Sequence, residues 1–186
     1  MAKNKRTENP KKSRQKGKLT AFFTDERFKI TLALMLTGMG ILMLIAFVSY
    51  FFTWKSDQVF ESLQLFSKKT AENWAGELGA RVANGLIHKG FGIASFFIPL
   101  VLIVLGFRLL KVKLLPLGWT IKISATGMVL LSIILGFIFG DKFLGSGLGG
   151  AHGYFMANWL TSFLGKVGAG ILLILLTFMF LTFTFA

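Results

Sequence analysis

The chain alternates between long apolar runs and shorter polar segments. Four apolar runs occupy residues 30–53, 90–109, 123–140 and 167–186, and apart from Arg108 they contain no Asp, Glu, Lys, Arg or His. A helix that crosses a bilayer needs about 20 predominantly apolar residues, and each run is close to that length. The pattern therefore predicts an all-α membrane protein with four transmembrane helices.

The polar segment between the first two runs, residues 54–89, has a helical pattern of its own. Large apolar side chains recur at helical spacing in its first half: Val59, Phe60, Leu63 and Phe66. Such spacing is typical of an amphipathic helix. A second helix is predicted over residues 71–86, where small residues recur at helical spacing. We therefore expect amphipathic helices in the loop between the first two spans.

Small residues are concentrated on several predicted helix faces. Faces of this kind let two helices approach closely, as small-xxx-small patterns do in membranes. The candidates for helix packing or self-association are Ala75, Gly76, Gly79, Ala80, Ala83, Gly136, Gly140, Gly149, Gly153, Gly165 and Ala169.

Proline and tryptophan mark further positions of interest. Pro99 lies in the middle of the second apolar run and predicts a kink, because proline removes a backbone hydrogen bond from a helix. Tryptophan is enriched where helices leave the bilayer. The candidate interfacial anchors are Trp54, Trp74, Trp119 and Trp159.

Positive charge is concentrated in two of the polar segments. Residues 1–29 hold ten Lys and Arg against three acids, and the connection 108–122 holds four basic residues and no acid. Segments 54–89 and 141–166 are nearly balanced. Because strongly basic loops stay in the cytoplasm, we predict that the N-terminus, the 110–122 loop and the C-terminus are all cytoplasmic.

The chain divides into a basic arm and a membrane domain. Residues 1–18 are lysine-rich and almost free of apolar side chains, which predicts a disordered cytoplasmic arm. Two roles are open for this arm. It either only sets the orientation of the chain in the membrane, or it also contacts anionic lipid or nucleic acid. Residues 19–186 form the four-span membrane domain. The composition agrees, since 54% of the residues are hydrophobic and only 16% are charged.

The sequence contains no recognisable catalytic, cofactor or metal site. There is no cysteine, which excludes thiolate-ligated metals. The two histidines, His88 and His152, have no second ligand at metal spacing. Residues 145–150 match G-x-G-x-x-G, but they follow an apolar helix rather than a strand, which argues against a dinucleotide site. We expect no cofactor in this chain.

Two glycine-rich stretches each lead into an apolar run. Residues 73–110 read NWAGELGARVANGLIHKGFGIASFFIPLVLIVLGFRLL, and residues 145–176 read GSGLGGAHGYFMANWLTSFLGKVGAGILLILL. These stretches are similar to the N-terminal four-helix membrane domain of the FtsK/SpoIIIE family of DNA translocases. The arrangement of four spans with both ends inside matches that family, and the Phe-rich version resembles the form found in Bacteroidota.

The resemblance implies a membrane anchor and oligomerisation domain of a septal DNA translocase that acts in cell division and chromosome segregation. It implies a multi-pass protein of the bacterial inner (cytoplasmic) membrane, located at the division septum. The implied partners are further copies of the chain in a hexamer, divisome membrane proteins and the lipid bilayer. The family's motor pumps double-stranded DNA with ATP and Mg²⁺, and we expect that motor beyond residue 186.

Two other functions remain open at this point. A motor-less four-span scaffold or subunit of an envelope secretion or motility complex would have the same spans. A transporter would need ionisable groups inside its spans, and the interiors of the four apolar runs lack them.

Overall fold

The computed structural model describes residues 25–62 and 71–185. Five α-helices fall in these ranges: α1 (Glu26–Ser62), α2 (Gly76–Ala83), α3 (Phe97–Leu109), α4 (Leu117–Phe139) and α5 (Gly150–Phe185). Between α2 and α3 lie a π-helical segment at Asn84–Phe91, which is interrupted at Gly90, and a 3₁₀ segment at Gly92–Phe96. The described residues contain no β-strand.

Four helical stretches are long and apolar enough to cross a membrane: α1 as far as Gln58, the stretch Gly76–Leu109, α4 and α5. The prediction of an all-α protein with four such helices is therefore confirmed. The predicted arm at residues 1–18 lies outside the described residues, as do residues 63–70 of the first predicted amphipathic helix.

The first close helix pair is α1 with α3. Glycine lets the two helices approach closely, because a Cβ on Gly40 would lie 2.7 Å from Ile103 Cγ1 and one on Gly106 would overlap Thr37. Gly40 follows Thr37 in α1 while Ile103 precedes Gly106 in α3, so the two helices run antiparallel.

The second close pair is α4 with the C-terminal part of α5. Phe137 lies beside Gly170, and Phe180 lies beside Gly127. A step of ten residues along α5 thus matches a step of ten along α4 in the opposite direction, as side-by-side antiparallel helices require.

These pairs give the molecule two distinct ends. The terminal end holds the start of α1 and the turn between α3 and α4, where Lys111 Nζ lies 2.7 Å from Glu26 Oε1. The loop end holds residues 54–62, 71–96 and 140–165, where Gln58 Nε2 donates to Leu144 O at 2.9 Å. Which end faces the cytoplasm stays a prediction from the charge distribution.

The most deeply buried core lies towards the loop end. Phe47, Tyr50 and Ile87 are fully buried there, and the Phe96 ring packs edge-on against Phe47 with centroids 5.3 Å apart. Burial of large side chains is the main source of packing energy in a fold, so α1 is fixed most firmly to the segment that leads into α3.

Two glycines interrupt the helices. Gly165 has φ 72° and ψ 164° inside α5, and Gly90 has φ −97° and ψ −124° inside the π-helical segment. Pro99, the predicted kink, lies in the first turn of α3, where a missing N–H costs little. The change of helix pitch lies just before Pro99, between Asn84 and Phe96.

Candidate functional site

The loop end of α1 carries a buried carboxyl group. Asp57 is 1% exposed, and its Oδ2 accepts hydrogen bonds from Thr53 Oγ1 (2.7 Å) and Asn73 Nδ2 (3.2 Å). Its Oδ1 has no hydrogen-bond partner in the part of the chain that the structure describes. Because removing such a group from water is costly, its place in the fold depends on these two donors.

Asn73 forms the turn that brings the chain back onto α1. Its Oδ1 accepts from Ala75 N at 3.1 Å, and Trp74 N donates to Ser49 Oγ at 2.9 Å. These bonds satisfy main-chain groups ahead of α2. The regular helix therefore starts only after this turn, whereas the residue pattern predicted a helix from residue 71.

A second set of buried hydrogen bonds joins α1 to two other segments. Tyr50 OH donates to Asn84 Oδ1 at 2.8 Å, and Gln58 Nε2 donates both to Tyr50 OH and to Leu144 O, each at 2.9 Å. The bonds connect α1, the π-helical segment and the loop after α4. We call the side chains of these two neighbouring sets together the polar network: Tyr50, Thr53, Asp57, Gln58, Asn73 and Asn84.

Beside the polar network, main chains pack directly on one another. The glycines at this contact form what we call the glycine seam: Gly90, Gly92, Gly136, Gly149, Gly150 and Gly153. A Cβ on Gly92 would lie 2.5 Å from Gly150 N, and one on Gly136 would lie 2.7 Å from Tyr154 N. Real side chains do not reach such distances, so glycine alone permits this approach.

Hydrogen bonds hold the seam together. Ile93 N donates to Leu148 O at 2.9 Å, and the buried hydroxyl of Ser132 donates to Gly149 O at 2.7 Å. The seam thereby unites the segment before α3, the C-terminal part of α4, the loop after α4 and the start of α5.

Both histidines lie at this contact. His88 Nδ1 lies 3.3 Å from Leu144 O, and the His88 carbonyl accepts from Ser146 Oγ at 2.6 Å. His152 Nδ1 lies 3.2 Å from Ser132 Oγ. No three His, Asp or Glu side chains in the described part of the chain come together as a metal site would require. The arrangement is suited to holding segments in fixed positions rather than to chemistry.

The seam also explains where the two glycine-rich stretches of the sequence meet. Residues 73–110 contribute Gly90 and Gly92, and residues 145–176 contribute Gly149, Gly150 and Gly153. Two stretches that are far apart in the sequence therefore form one contact.

The small-residue face of α2 packs within the same chain. A Cβ on Gly79 would lie 3.2 Å from Ala46 Cβ of α1, and Ala80 and Ala83 are buried. Ala75, at the turn, packs against the same core cluster. Gly76 is exposed, and its φ of 68° starts α2. Much of this face is therefore already covered by α1.

The remaining small-residue candidates have different surroundings. Gly140 ends α4 with φ 61°, Gly165 is exposed, and Ala169 is buried with Leu160 and Leu173. A role of any candidate in self-association stays a prediction.

The tryptophans lie towards both ends of the molecule. Trp54, Trp74 and Trp159 belong to the loop end, whereas Trp119 lies near the start of α4. Trp74 is 64% exposed, and Trp159 is 53% exposed. Anchoring by these rings at the membrane surface stays a prediction.

The polar network was missed in the sequence, although a signal for it exists. Ser49, Thr53 and Asp57 are spaced by four residues at the end of the first span, and such residues share a helix face. A polar stripe that continues out of an apolar run indicates a buried polar contact. Its partner Asn73 carries no comparable signal.

Comparison with known proteins identifies the family of the chain. Matches were found neither among curated proteins nor among solved structures. The profile of the family described as the 4TM region of DNA translocase FtsK/SpoIIIE matches residues 25–186, which include all five α-helices and both glycine-rich stretches. The chain is a multi-pass membrane protein, and it belongs to the family of FtsK/SpoIIIE four-helix membrane regions.

Proposed function

We propose that this domain anchors a DNA translocase in the bacterial inner membrane at the division septum and brings its copies together. The observation that carries the proposal is the family match over residues 25–186 on a fold with four membrane-crossing helices. The same family match is our reason to propose a motor that uses ATP and Mg²⁺ to move double-stranded DNA. The domain's own contribution is mechanical.

The loop end supports a mechanical role. A motor that pulls DNA exerts an equal force on its anchor, and an anchor resists force best where its segments cannot slide. The glycine seam and the buried Asp57 contacts restrict such sliding. In this proposal the motor pulls on the terminal end, and the loop end keeps the helices in register and offers surfaces to divisome membrane proteins.

Self-association is proposed to use an exposed groove between α1 and α2. The groove has a volume of about 580 Å³ and an apolar lining that includes Leu34, Met39, Leu42, Leu78 and Val82. Met39 is 56% exposed and Leu78 75% exposed. Apolar side chains with an adjacent small residue such as Gly38 favour helix contacts between copies.

Localisation tests the anchor proposal. A fluorescent protein fused to residues 1–186 alone is expected to concentrate in a ring at the septum of dividing cells. An even distribution around the membrane would instead favour a scaffold of another envelope complex.

Crosslinking tests self-association separately. Because the chain has no cysteine, Met39→Cys provides a single reactive site in the groove, and Ile138→Cys provides a matched site on α4 that is 63% exposed. Because one thiol per chain can join only two copies, a bifunctional thiol reagent should give crosslinked dimers of the Met39 variant, but not of the Ile138 variant. Equal yields at both sites would contradict the groove as the contact.

A further inference from the structure

The N-terminal part of α5 does not continue the path of its C-terminal part. The complete α5, Gly150–Phe185, has 36 residues, which corresponds to about 54 Å of straight helix. The hydrocarbon core of a bilayer is only about 30 Å thick. One part of α5 must therefore lie elsewhere than across the membrane, and the break at Gly165 divides the two parts.

The contacts with α4 show which way the N-terminal part runs. Gly170 packs against Phe137, whereas Gly153 packs against Ser132 and Gly136. If residue 153 followed the same antiparallel register as Gly170, it would lie far beyond the end of α4. Instead, Gly153 and Gly170 are far apart along α5, but both contact α4 between Ser132 and Phe137. The segment 150–164 therefore runs across α4 rather than along it.

These contacts also give the depth of the segment. Ser132 and Phe137 lie two to seven residues before the end of α4 at Phe139, which corresponds to about 3–10 Å along the helix axis. Helices that lie in the membrane plane bury their apolar face about 5–10 Å into the boundary between headgroups and acyl chains. With the end of α4 placed at the boundary of the hydrocarbon core, the segment lies at the depth of such a helix.

The outer face of the segment is aromatic and uncharged. Phe155, Trp159 and Phe163 recur every four residues and are 67%, 53% and 74% exposed, while Ala157 and Leu160 on the opposite face are buried. Trp159 and Phe163 stack with centroids 5.8 Å apart. Residues 150–164 contain no Asp, Glu, Lys or Arg. Aromatic rings of this kind favour the membrane–water boundary.

Beyond the break, the spanning part of α5 also carries an exposed apolar surface. Past the exposed Lys166, Ile171 is 55% exposed and Phe178 71% exposed, and both lie in the membrane-crossing run. The uncharged aromatic face of residues 150–164 therefore lies next to a lipid-facing surface, within reach of the same lipid.

We propose that residues 150–164 form an in-plane helix that lies in the bilayer leaflet at the loop end, with Phe155, Trp159 and Phe163 embedded in lipid. The helix braces the loop end laterally, because it carries the glycine seam on one face and lipid on the other. The proposal rests on membrane insertion of the chain and not on which machine the domain serves.

Depth measurements with spin labels test this arrangement. The full chain has no cysteine, so single Cys variants at Phe155, Trp159 and Phe163 can be labelled directly after reconstitution in phosphatidylethanolamine–phosphatidylglycerol vesicles. Ile171→Cys and Phe178→Cys serve as matched exposed sites on the spanning part. Collision with oxygen and with a water-soluble nickel chelate reports the depth of each label.

An in-plane helix predicts nearly equal shallow depths at the three aromatic positions, within about 4 Å of one another. The two control positions should differ by about 10 Å, since each residue adds about 1.5 Å along a helix. A steady change of about 12 Å from position 155 to position 163 would overturn the proposal. So would access to the nickel chelate alone, which places the helix in water.

Protection from both reagents would also overturn it, because the face would then be covered by protein, such as a second copy. A measurement with the native ring guards against disturbance by the labels. In a chain whose other three tryptophans are replaced by Phe, Trp159 fluorescence should be quenched more by phospholipids brominated near the headgroup than by those brominated near the chain end. The reverse order would contradict a shallow position.

Discussion

The two ends of the molecule hold their helices in different ways. At the loop end, α4 and α5 touch through main-chain atoms, as at Gly136 and Gly153. Towards the terminal end, the same two helices meet through side chains such as Phe180 beside Gly127, next to an open groove of about 710 Å³ lined by residues such as Trp119, Thr126 and Phe183. The close connection there between α1 and the turn after α3 is an exposed ion pair of Lys111 and Glu26.

For the pair of α4 and α5, this difference separates a fixed end from an adjustable one, whereas α1 and α3 stay in main-chain contact at Gly106, where a Cβ would lie 2.9 Å from Ala33 O. Main-chain contact cannot relax by a change of rotamer, whereas long side chains around a groove can rearrange. Buried hydrogen bonds at the loop end are costly to break, and an exposed ion pair is not. A domain that anchors a moving machine can then be rigid at one end and tolerate small movements at the other.

The largest effect is expected from a methyl group in the seam. Gly136→Ala would place its Cβ against the Gly153 carbonyl and 2.7 Å from Tyr154 N, so the backbone of α5 must shift. We expect a loss of about 3 kcal/mol in the free energy of unfolding, typical of severe overpacking. Titration of the purified protein in mixed micelles with increasing SDS measures this free energy.

Gly118→Ala, in the first turn of the same helix, is the matched control for that substitution. Nothing lies within 4 Å of a Cβ at Gly118, so the methyl group meets no obstacle there. The control should leave stability unchanged or raise it by up to about 1 kcal/mol through helix propensity. Equal effects of the two substitutions would remove the distinction between seam and open helix face.

Removal of the buried carboxyl group should have the next largest effect. Asp57→Ala removes the hydrogen bonds from Thr53 Oγ1 and Asn73 Nδ2 to the carboxylate and leaves these donors only their second acceptors, Ser49 O and Ala46 O. For the loss of two buried hydrogen bonds we expect a decrease of about 2 kcal/mol in the same titration. The exposed Asp141 offers a control, since Asp141→Ala should not change stability measurably. An unchanged free energy of unfolding in the Asp57→Ala variant would show that the loop end does not depend on the polar network.

A smaller effect is expected when one hydroxyl is removed. Tyr50→Phe keeps the buried ring but loses the bonds with Asn84 and Gln58, for a cost of about 1 kcal/mol. Hydrogen exchange of main-chain amides should also become faster in the π-helical segment than in α4. Tyr154→Phe, at an exposed ring, is the control and should change neither quantity.

The smallest effect is expected at the terminal end. Lys111→Ala removes the ion pair with Glu26, but both side chains are largely exposed and salt screens them. Thermal unfolding in detergent should show no measurable change at moderate ionic strength. A substantial loss of stability would mean that the terminal end is held as firmly as the loop end.

The sequence was sufficient to predict the spans but not the seam contacts. A run of apolar residues such as 123–140 identifies a membrane helix from local composition, and the four-helix architecture followed from it. Glycines at small-residue spacing marked Gly136 and Gly153 as packing candidates. Which glycine meets which depends on the path of the loop after α4, and no local pattern encodes that path.

The polar network and the start of α5 were harder to predict for a related reason. Asp57 reads as an ordinary polar residue after a span, and only the return of Asn73 makes it a buried one. Residues 150–164 contain no periodic polar face, because one side meets protein and the other is apolar as well. Amphipathic spacing therefore gave no signal of a helix there.

The seam also has a consequence for the order of events during synthesis. His88 and Gly92 belong to a segment whose partners, Leu144 and Gly149, emerge from the ribosome more than 50 residues later. Chains fold in the order in which they are made, so the first two spans must wait, with that segment unsupported, until the third span and its loop have been inserted. Assembly of the loop end is thus a late step, and a chain interrupted before residue 150 would lack the contact that completes it.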